Sequence, residues 1–487
     1  MNIIKRIFGR GAHGKRVFTA GQHNRLTSDW ITSTINTNED IKRFLPVLVE
    51  RSRHLAKNHS DYRKWLTMRS QNIVGPDGFN FQAKVVNTDG SPDKVANEII
   101  ERHWKEWGKA ANKYCTIDGV GSFRDFCELV DRTFAVDGEA FIHIQRGSSN
   151  PYGISLELID SLLVDVTKNY VPDRPGENQI IMGVEVDPNG KPLAYFIKTN
   201  PNDYGYSSET KRVPSDQIIH LMKREFAGQV RGFPMASAAI LDMNMLQGYR
   251  EAELIAARIA ACQMGVWEDS GNKIGARINP DSKNSNGTLL VDFAPGKFVD
   301  APSGKTLKTI QPTHPNADAG NFVRSMMRSI ANGLSVFYNS FGNDLEGVNF
   351  SSMRSGALEE RDNWKTCQRF FIENFLEKIY REWLRMFLLS GLSILPLSKK
   401  DKFLNVVFQG RRWAWVDPYK DIQANALAIQ SLIRSPQDVI RESGRDPEDV
   451  IAEISQFEQT VNKMGLTLFN IKKEVVNNAD DEEENTN

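Results

Sequence analysis

An α+β fold divided into several units is what the 487 residues predict, and three observations carry it. Helical and strand-like segments alternate irregularly up to about residue 230. Two apolar stretches of helix length then flank a run rich in Gly, Pro, Asn, Asp and Ser. A stretch free of Gly and Pro follows from Ala357 to Leu389. At about 100–200 residues per domain, the length corresponds to roughly two to four folding units.

Residues 40–74 read as helix from Ile41, Phe44, Leu45, Leu48, Leu55, Trp65 and Ile73, stopped by Gly75-Pro76-Asp77-Gly78. Phe79–Val86 partly alternates like a strand. Helices are predicted at Asp93–Trp107 and Ser122–Val136, and short strands at Ala140–Gln145 and Ser155–Ile159. Met182–Val186 and Leu193–Lys198 flank Asp187-Pro188-Asn189-Gly190, whose Asn-Gly pair signals a hairpin. Residues 235–262 are crowded with Ala, Met, Leu and Ile and predict one helix, about 42 Å long at 1.5 Å per residue.

The loop-rich run 265–315 has strand-like pieces at Thr288–Val291 and Thr306–Ile310. A second helix, Ala317–Val336, carries Phe322, Val323, Met326, Met327, Ile330 and Leu334 at helical spacing. Phe337–Arg354 reads as a polar, Gly-bearing loop. The helix Ala357–Leu389 has an apolar spine of Trp364, Phe371, Phe375, Ile379, Trp383 and Phe387. A strand at Phe403–Phe408 and helices at about Lys420–Arg434, Pro436–Glu442 and Pro447–Met464 complete the pattern.

Basic and acidic residues both number 61, so the formal net charge is zero, which argues against a simple nucleic-acid coat. The charge is uneven at the ends. Lys5, Arg6, Arg10, Lys15, Arg16 and Arg25 precede any acid, and Asp480-Asp481-Glu482-Glu483-Glu484 lies near the last residue. Both ends read as solvated tails, with docking on an oppositely charged partner as the functional alternative. Cys115, Cys127, Cys262 and Cys367 form no CxxC pair and read as free thiols in a reducing compartment. The first residues lack the apolar run of a signal peptide, and no stretch is long and apolar enough for a membrane span. A soluble cytoplasmic protein is expected.

No catalytic constellation emerges. Gly304-Lys305-Thr306 resembles the end of a phosphate-binding loop, but Val299 stands where the pattern needs glycine. Gly9-Arg10-Gly11-Ala12-His13-Gly14 matches GxGxxG without the preceding strand or the later acid. The histidines form no metal-ligand pair; His143 and His220, in apolar strand-like surroundings, read as packed residues. No Gly-x-Ser-x-Gly elbow occurs. The expectation is a protein without enzyme activity, cofactor or metal.

Two segments carry a resemblance. Lys223–Trp267 holds Gln229-Val230-Arg231-Gly232-Phe233-Pro234 and then Tyr249-Arg250-Glu251-Ala252-Glu253-Leu254 in the Ala-rich helix. Met326–Arg361 holds Ile330–Val336, Phe341–Glu346, Asn349–Gly356 and Glu359-Glu360-Arg361. Asp137-Gly138-Glu139-Ala140-Phe141, Trp415–Pro418 and Ser443–Val450 are weaker echoes. With these, the chain resembles the lambda-like family of bacteriophage portal proteins over about residues 40–465.

The resemblance implies a portal fold and a ring, usually of twelve copies, around a DNA channel at the capsid vertex. Its expected parts are a basic arm (1–39), a mixed α/β wing (40–234), stem helices (235–264 and 317–336) and a β-rich clip between them (265–316). A tunnel loop (337–353), a long wing helix with a strand (354–416), a helical crown (417–466) and an acidic tail (467–487) follow. Double-stranded DNA would pass Asn339, Ser340, Asn343, Asp344, Glu346 and Asn349 without sequence-specific contact. Ala256, Ala257, Ala260, Met326 and Ile330 would pack stem helices of neighbouring copies together, with packing inside the subunit as the alternative. Implied partners are further copies of the chain, terminase, major capsid and scaffold proteins, and head–tail connector or adaptor proteins. The implied location is the virion, after assembly in the host cytoplasm. Two rival readings are a nucleotide-driven DNA motor, disfavoured by the missing phosphate loop, and another virion component such as a capsid protein or head–tail adaptor.

Overall fold

Side-chain caps start several of the helices. Asn36 accepts from Asn38 N at 3.1 Å and opens α1 (Thr37–Asn58). His59 takes an extended backbone, ends α1, and accepts from Tyr62 N to cap α2 (Ser60–Ile73). The helix expected over 40–74 is therefore two helices, because one residue leaves helical geometry between them. Asp93 caps α3 (Lys94–Gly108), and Ser122 with Asp125 forms a capping box on α4 (Phe123–Asp137). The computed structural model describes residues 36–174, 176–200, 209–261, 265–269, 305–309, 318–413, 418–443, 445 and 447–464.

Strand β1 (Asn80–Ala83) precedes α3, and β2 (Glu139–Arg146) and β3 (Ile154–Ile159) follow α4. Next come β4 (Gln179–Ile181), β5 (Val184–Val186), β6 (Pro192–Lys198), β7 (Thr210–Pro214) and β8 (Ile218–Met222). Two antiparallel sheets form in this region, ordered β3-β2-β8 and β4-β5-β6-β7. The expected Asn-Gly hairpin joins β5 to β6. Asp187 Oδ1 accepts from Asn189 N and Lys191 N at 2.9 and 2.8 Å, and Gly190 takes φ +80°.

Helix α5 (Ile240–Ala261) and α6 (Ala319–Gly333) pack antiparallel: Ala239 meets Gly333, Asp242 bonds Ser329, and Tyr249 meets Phe322. α5 is shorter than expected, about 33 Å, because residues 235–239 form turns before it begins. Strands β9 (Gly265–Asp269) and β10 (Lys305–Thr309) pair antiparallel and continue the excursion from α5 to α6. The strand-like Thr288–Val291 lies outside the described residues.

Helix α7 (Tyr338–Gly342) and α8 (Phe350–Phe371) shorten the expected loop 337–353 to residues 343–349. A π-helical turn, Ile372–Leu376, joins α8 to α9 (Glu377–Leu389). The spine explains it. Each step of four residues overshoots a turn by about 40°, and the wider π turn absorbs part of that drift. Trp364, Phe371, Phe375, Ile379, Trp383 and Phe387 are all buried as a result. Trp383 packs edge-on against Trp104 of α3 at 5.1 Å and stacks on Phe387 at 5.0 Å. This aromatic cluster is the centre of the main core.

β11 (Val406–Gln409) pairs antiparallel with β1, tying residues after α9 to the start of the chain. It begins later than expected because Leu397–Leu404 is 3₁₀-helical. Helices α10 (Pro418–Gln430), α11 (Pro436–Glu442) and α12 (Pro447–Lys463) close the described chain. Cys115, Cys127 and Cys367 are free thiols; Cys262 lies outside the described residues.

The junction between sheet and α5 brings together two motifs that are distant in sequence. A Cβ on Gly138 would lie 1.9 Å from the Phe233 backbone, and one on Gly232 would lie 2.2 Å from Gly138 O. The crossing admits only glycine at both positions. Beside it, Arg231 is fully buried, bonding Glu139 at 2.7 Å and donating to the carbonyls of Ser161, Val164 and Met182. Glu139 also accepts from Gly232 N and from His220 Nε2, at 2.8 and 2.9 Å. Burial holds His220 below the usual imidazole range. Arg231→Leu leaves Glu139 charged in the core and is expected to lower stability by about 3–5 kcal/mol in urea unfolding. Gly138→Ala is expected to prevent the crossing and give no soluble folded protein.

Candidate functional site

Residues 343–349 lie between two helical ends and are held by their own side chains. Asn343 adopts a left-handed conformation at φ 52°, ending α7, and Asn349 accepts from Ser352 N at 2.8 Å to cap α8. Asp344 organises the turn. It accepts from Tyr338 Oη at 2.7 Å and from Glu346 N at 3.2 Å, while its carbonyl accepts from Asn339 Nδ2 at 2.6 Å. The hydrogen bond from Tyr338 is the main cause that holds the Asp344 carboxyl below its usual range.

Arg324 of α6 reaches across to both acids of the loop, 2.9 Å from Asp344 and 2.8 Å from Glu346. Arg328, one turn later, lies over the Tyr338 ring at 5.2 Å. Lys64 of α2 donates to the Asn343 side chain. Ser340 lies close to Glu360 of α8, which accepts from Phe337 N at 3.3 Å. Gly356 of α8 leaves room for the Phe337 ring, since a Cβ there would come within 2.3 Å of it. Of the six loop residues named from the sequence, Asn339, Asp344 and Glu346 share one network with Tyr338 and Arg324, while Asn343 and Asn349 bond Lys64 and Ser352 N separately and Ser340 lies beside Glu360. Leu345 at the tip stays exposed.

These contacts set the charge around the loop. Residues 337–353 alone carry Asp344 and Glu346 without a cation, but Arg324 and Lys64 supply positive charge from neighbouring elements. Sequence spacing could not show this, because Arg324 and Lys64 are far from the loop along the chain. The only local signal was the Arg324/Arg328 pair on one face of α6.

The residues named for helix packing fare differently. Ile330 is buried in the subunit's own core and Met326 packs against that core. Ala256 and Ala257 are half-buried on α5, and the Ala260 side chain lies outside the described residues. A separate stripe was missed. Leu241, Met245, Gly248, Ala252 and Ile255 follow one another at steps of three or four along α5, and all are exposed. The opposite face, with Met243 and Leu246, is buried.

Among the described residues, no group of three or more His, Cys, Asp or Glu side chains could hold a metal. No helix among them is long and apolar enough to cross a membrane.

The molecule thus carries a polar turn held by Arg324 of α6 and an apolar stripe exposed on α5. Residues 23–368 match the model for phage portal proteins of the lambda family. The chain is 32% identical to the probable portal protein of Halomonas phage phiHAP-1 over 458 residues, covering 93% of this chain and 88% of that protein. It is 21% identical to Portal protein B of Escherichia phage lambda over 408 residues, covering 76% and 74%. The chain belongs to the lambda family of phage portal proteins, which are structural components of the virion. Among solved structures it is similar, at 11% identity and a TM-score of 0.45, to a chain from the neck of an empty gene transfer agent particle. That match covers 83% of this chain and 94% of that one, and is too distant to add to the assignment.

Arg324→Ala is expected to release the loop without lowering the melting temperature, and a Glu-specific protease should then cut after Glu346 faster than in the parent. The hydrogen bonds of Asp344 are complete above the ordinary aspartate value of about 3.9 and are lost as pH falls through its lower folded value. The protection of Glu346 N against hydrogen exchange, taken relative to the intrinsic rate at each pH, is therefore expected to fall only in acid.

Proposed function

We propose that copies of this portal subunit close side by side into a ring whose lumen passes duplex DNA during packaging and ejection. In this reading α5 and α6 form the stem, residues 265–316 the clip, 343–349 the lumen-facing turn and α10–α12 the crown. The supporting observation is the double-faced character of α5. One face is used up by the subunit core, while Leu241, Met245, Gly248, Ala252 and Ile255 remain apolar and exposed. In water such a stripe favours burial against a neighbour. Gly248 and Ala252 at its middle would let a neighbouring helix approach closely.

The lumen-facing turn suits passage. Each phosphate neutralised by a lysine or arginine releases counterions and adds affinity, so a strongly cationic wall would act as a brake. Arg324 is already engaged with Asp344 and Glu346, so the turn presents no unpaired cation of its own to phosphate. The clip is the natural docking face for terminase during packaging and for connector or adaptor proteins afterwards. The wing and crown would face capsid and scaffold proteins.

Purified protein is expected to show rings with a central hole in negative-stain images; monomers or closed particles would overturn the reading. Gly248→Leu tests the seam cleanly, because no atom lies within 4 Å of the added Cβ in the subunit. It should leave helicity and melting unchanged and abolish rings. The double change Asp344→Lys with Glu346→Lys is expected to leave rings intact and impair DNA packaging; normal packaging would remove the turn from the channel.

A further inference from the structure

Strand β8, the β5–β6 hairpin and the π turn before α9 enclose a cleft of about 640 Å³. Lys191 enters it from the hairpin turn, Arg224 from just beyond β8, and Lys378 from the first turn of α9. His220, Tyr195 and Asn374 add polar atoms, and no carboxylate lines the cleft. None of the three cations forms an ion pair among the described residues. The acid beneath, Glu139, is occupied by Arg231, Gly232 N and His220. Arg224 is near enough for its charge to act on both His220 and Tyr195.

Partial desolvation depresses the Lys378 ammonium, and no acid offsets the effect. Burial raises Tyr195, which keeps its hydroxyl a neutral donor. The wall at Asn374 belongs to the π-helical turn, a local irregularity frequent at functional sites. Phe370 and Met222 supply apolar surface. A concave, cationic cleft with an apolar wall does not match the convex backbone of a duplex. It matches an extended peptide that carries several carboxylates and an apolar anchor.

The chain itself carries such a segment. Val475 and Val476 precede Asp480-Asp481-Glu482-Glu483-Glu484. The 23 residues after Met464 span about 75 Å when extended, against a radius of gyration of about 22 Å for a compact body of this size. We infer that this cleft is an acidic-peptide site, and that its occupant is the C-terminal segment of the same polypeptide. The inference goes beyond the ring and does not depend on it.

The test compares the full chain with one lacking residues 466–487, using a fluorescein-labelled peptide of residues 474–487 as the probe in anisotropy titrations. The shortened chain is expected to bind the peptide, more weakly as salt rises. The full chain should bind at least tenfold more weakly, because its tethered segment competes at high effective concentration. In the shortened chain, Lys191→Gln with Arg224→Gln and Lys378→Gln should weaken binding at least tenfold. If that triple variant is misfolded by circular dichroism, Lys191→Gln alone, at an exposed hairpin turn, should weaken it about threefold. No binding to the shortened chain overturns the site, as does binding indifferent to these residues. Equal binding to both chains overturns the assigned occupant. Capture of a duplex DNA fragment through the same three residues, without the peptide, overturns the acidic-peptide assignment.

Discussion

The buried pairing of Glu139 with Arg231, beside the Gly138–Gly232 crossing, is the constraint on which the rest of the subunit depends. It fixes the start of β2 to the segment that leads into α5, with Arg231 fully buried and bonded to three backbone carbonyls as well as to Glu139. A buried ion pair contributes little net stability by itself, since desolvation offsets most of the attraction. Its effect is to make one geometry far better than its neighbours, because any shift strands a charge. Two backbones in contact without side chains between them have no room to slide. The direction in which α5 leaves the sheets follows from this junction.

The same region extends the network outward. Arg53 of α1 bonds both Asp137 and Asp160, and Ser161 donates to Asp137 at 2.7 Å while its carbonyl accepts from Arg231. Helix α1, the end of α4, the loop after β3 and the approach to α5 are thereby linked through charged groups and backbone. Burial pulls the Asp137 carboxyl upward, and Arg53 opposes it. A load applied along α5 would reach these elements through bonds that break only at the cost of an exposed or unpaired charge.

Much of this was legible in local sequence, and the failures have common causes. The capping residues, the Asn-Gly hairpin and the aromatic spine of α8–α9 depend on neighbours within one or two turns, so their elements emerged near their true places. The break at His59 comes from that residue's extended backbone and the late start of α5 from the turns before it; the loose helical period over 40–74 hinted at the first, and nothing in the composition hinted at the second. The polar loop was recognised, but the cation that pairs with its two acids was not visible, since Arg324 lies on another element. The motifs around Gly138 and Gly232 were both noticed as separate strings. Nothing in a single sequence says that two glycines far apart along the chain touch.

The described subunit leaves apolar side chains exposed along several helices. The stripe on α5 is one case, and α10–α12 give another, with Leu432 92% and Ile433 81% exposed and Ile451, Ile454 and Phe457 each more than half exposed. Single exposed apolar residues need no explanation, but on α12 these three repeat every third position, which places them along one side of the helix. A chain working alone would have reason to replace them with polar residues, since helix propensity does not require Ile or Phe there. In the proposed ring the inward half is specified by buried charge and paired glycines, and the exposed apolar faces of α5 and α12 would gain their stabilisation against neighbouring surfaces.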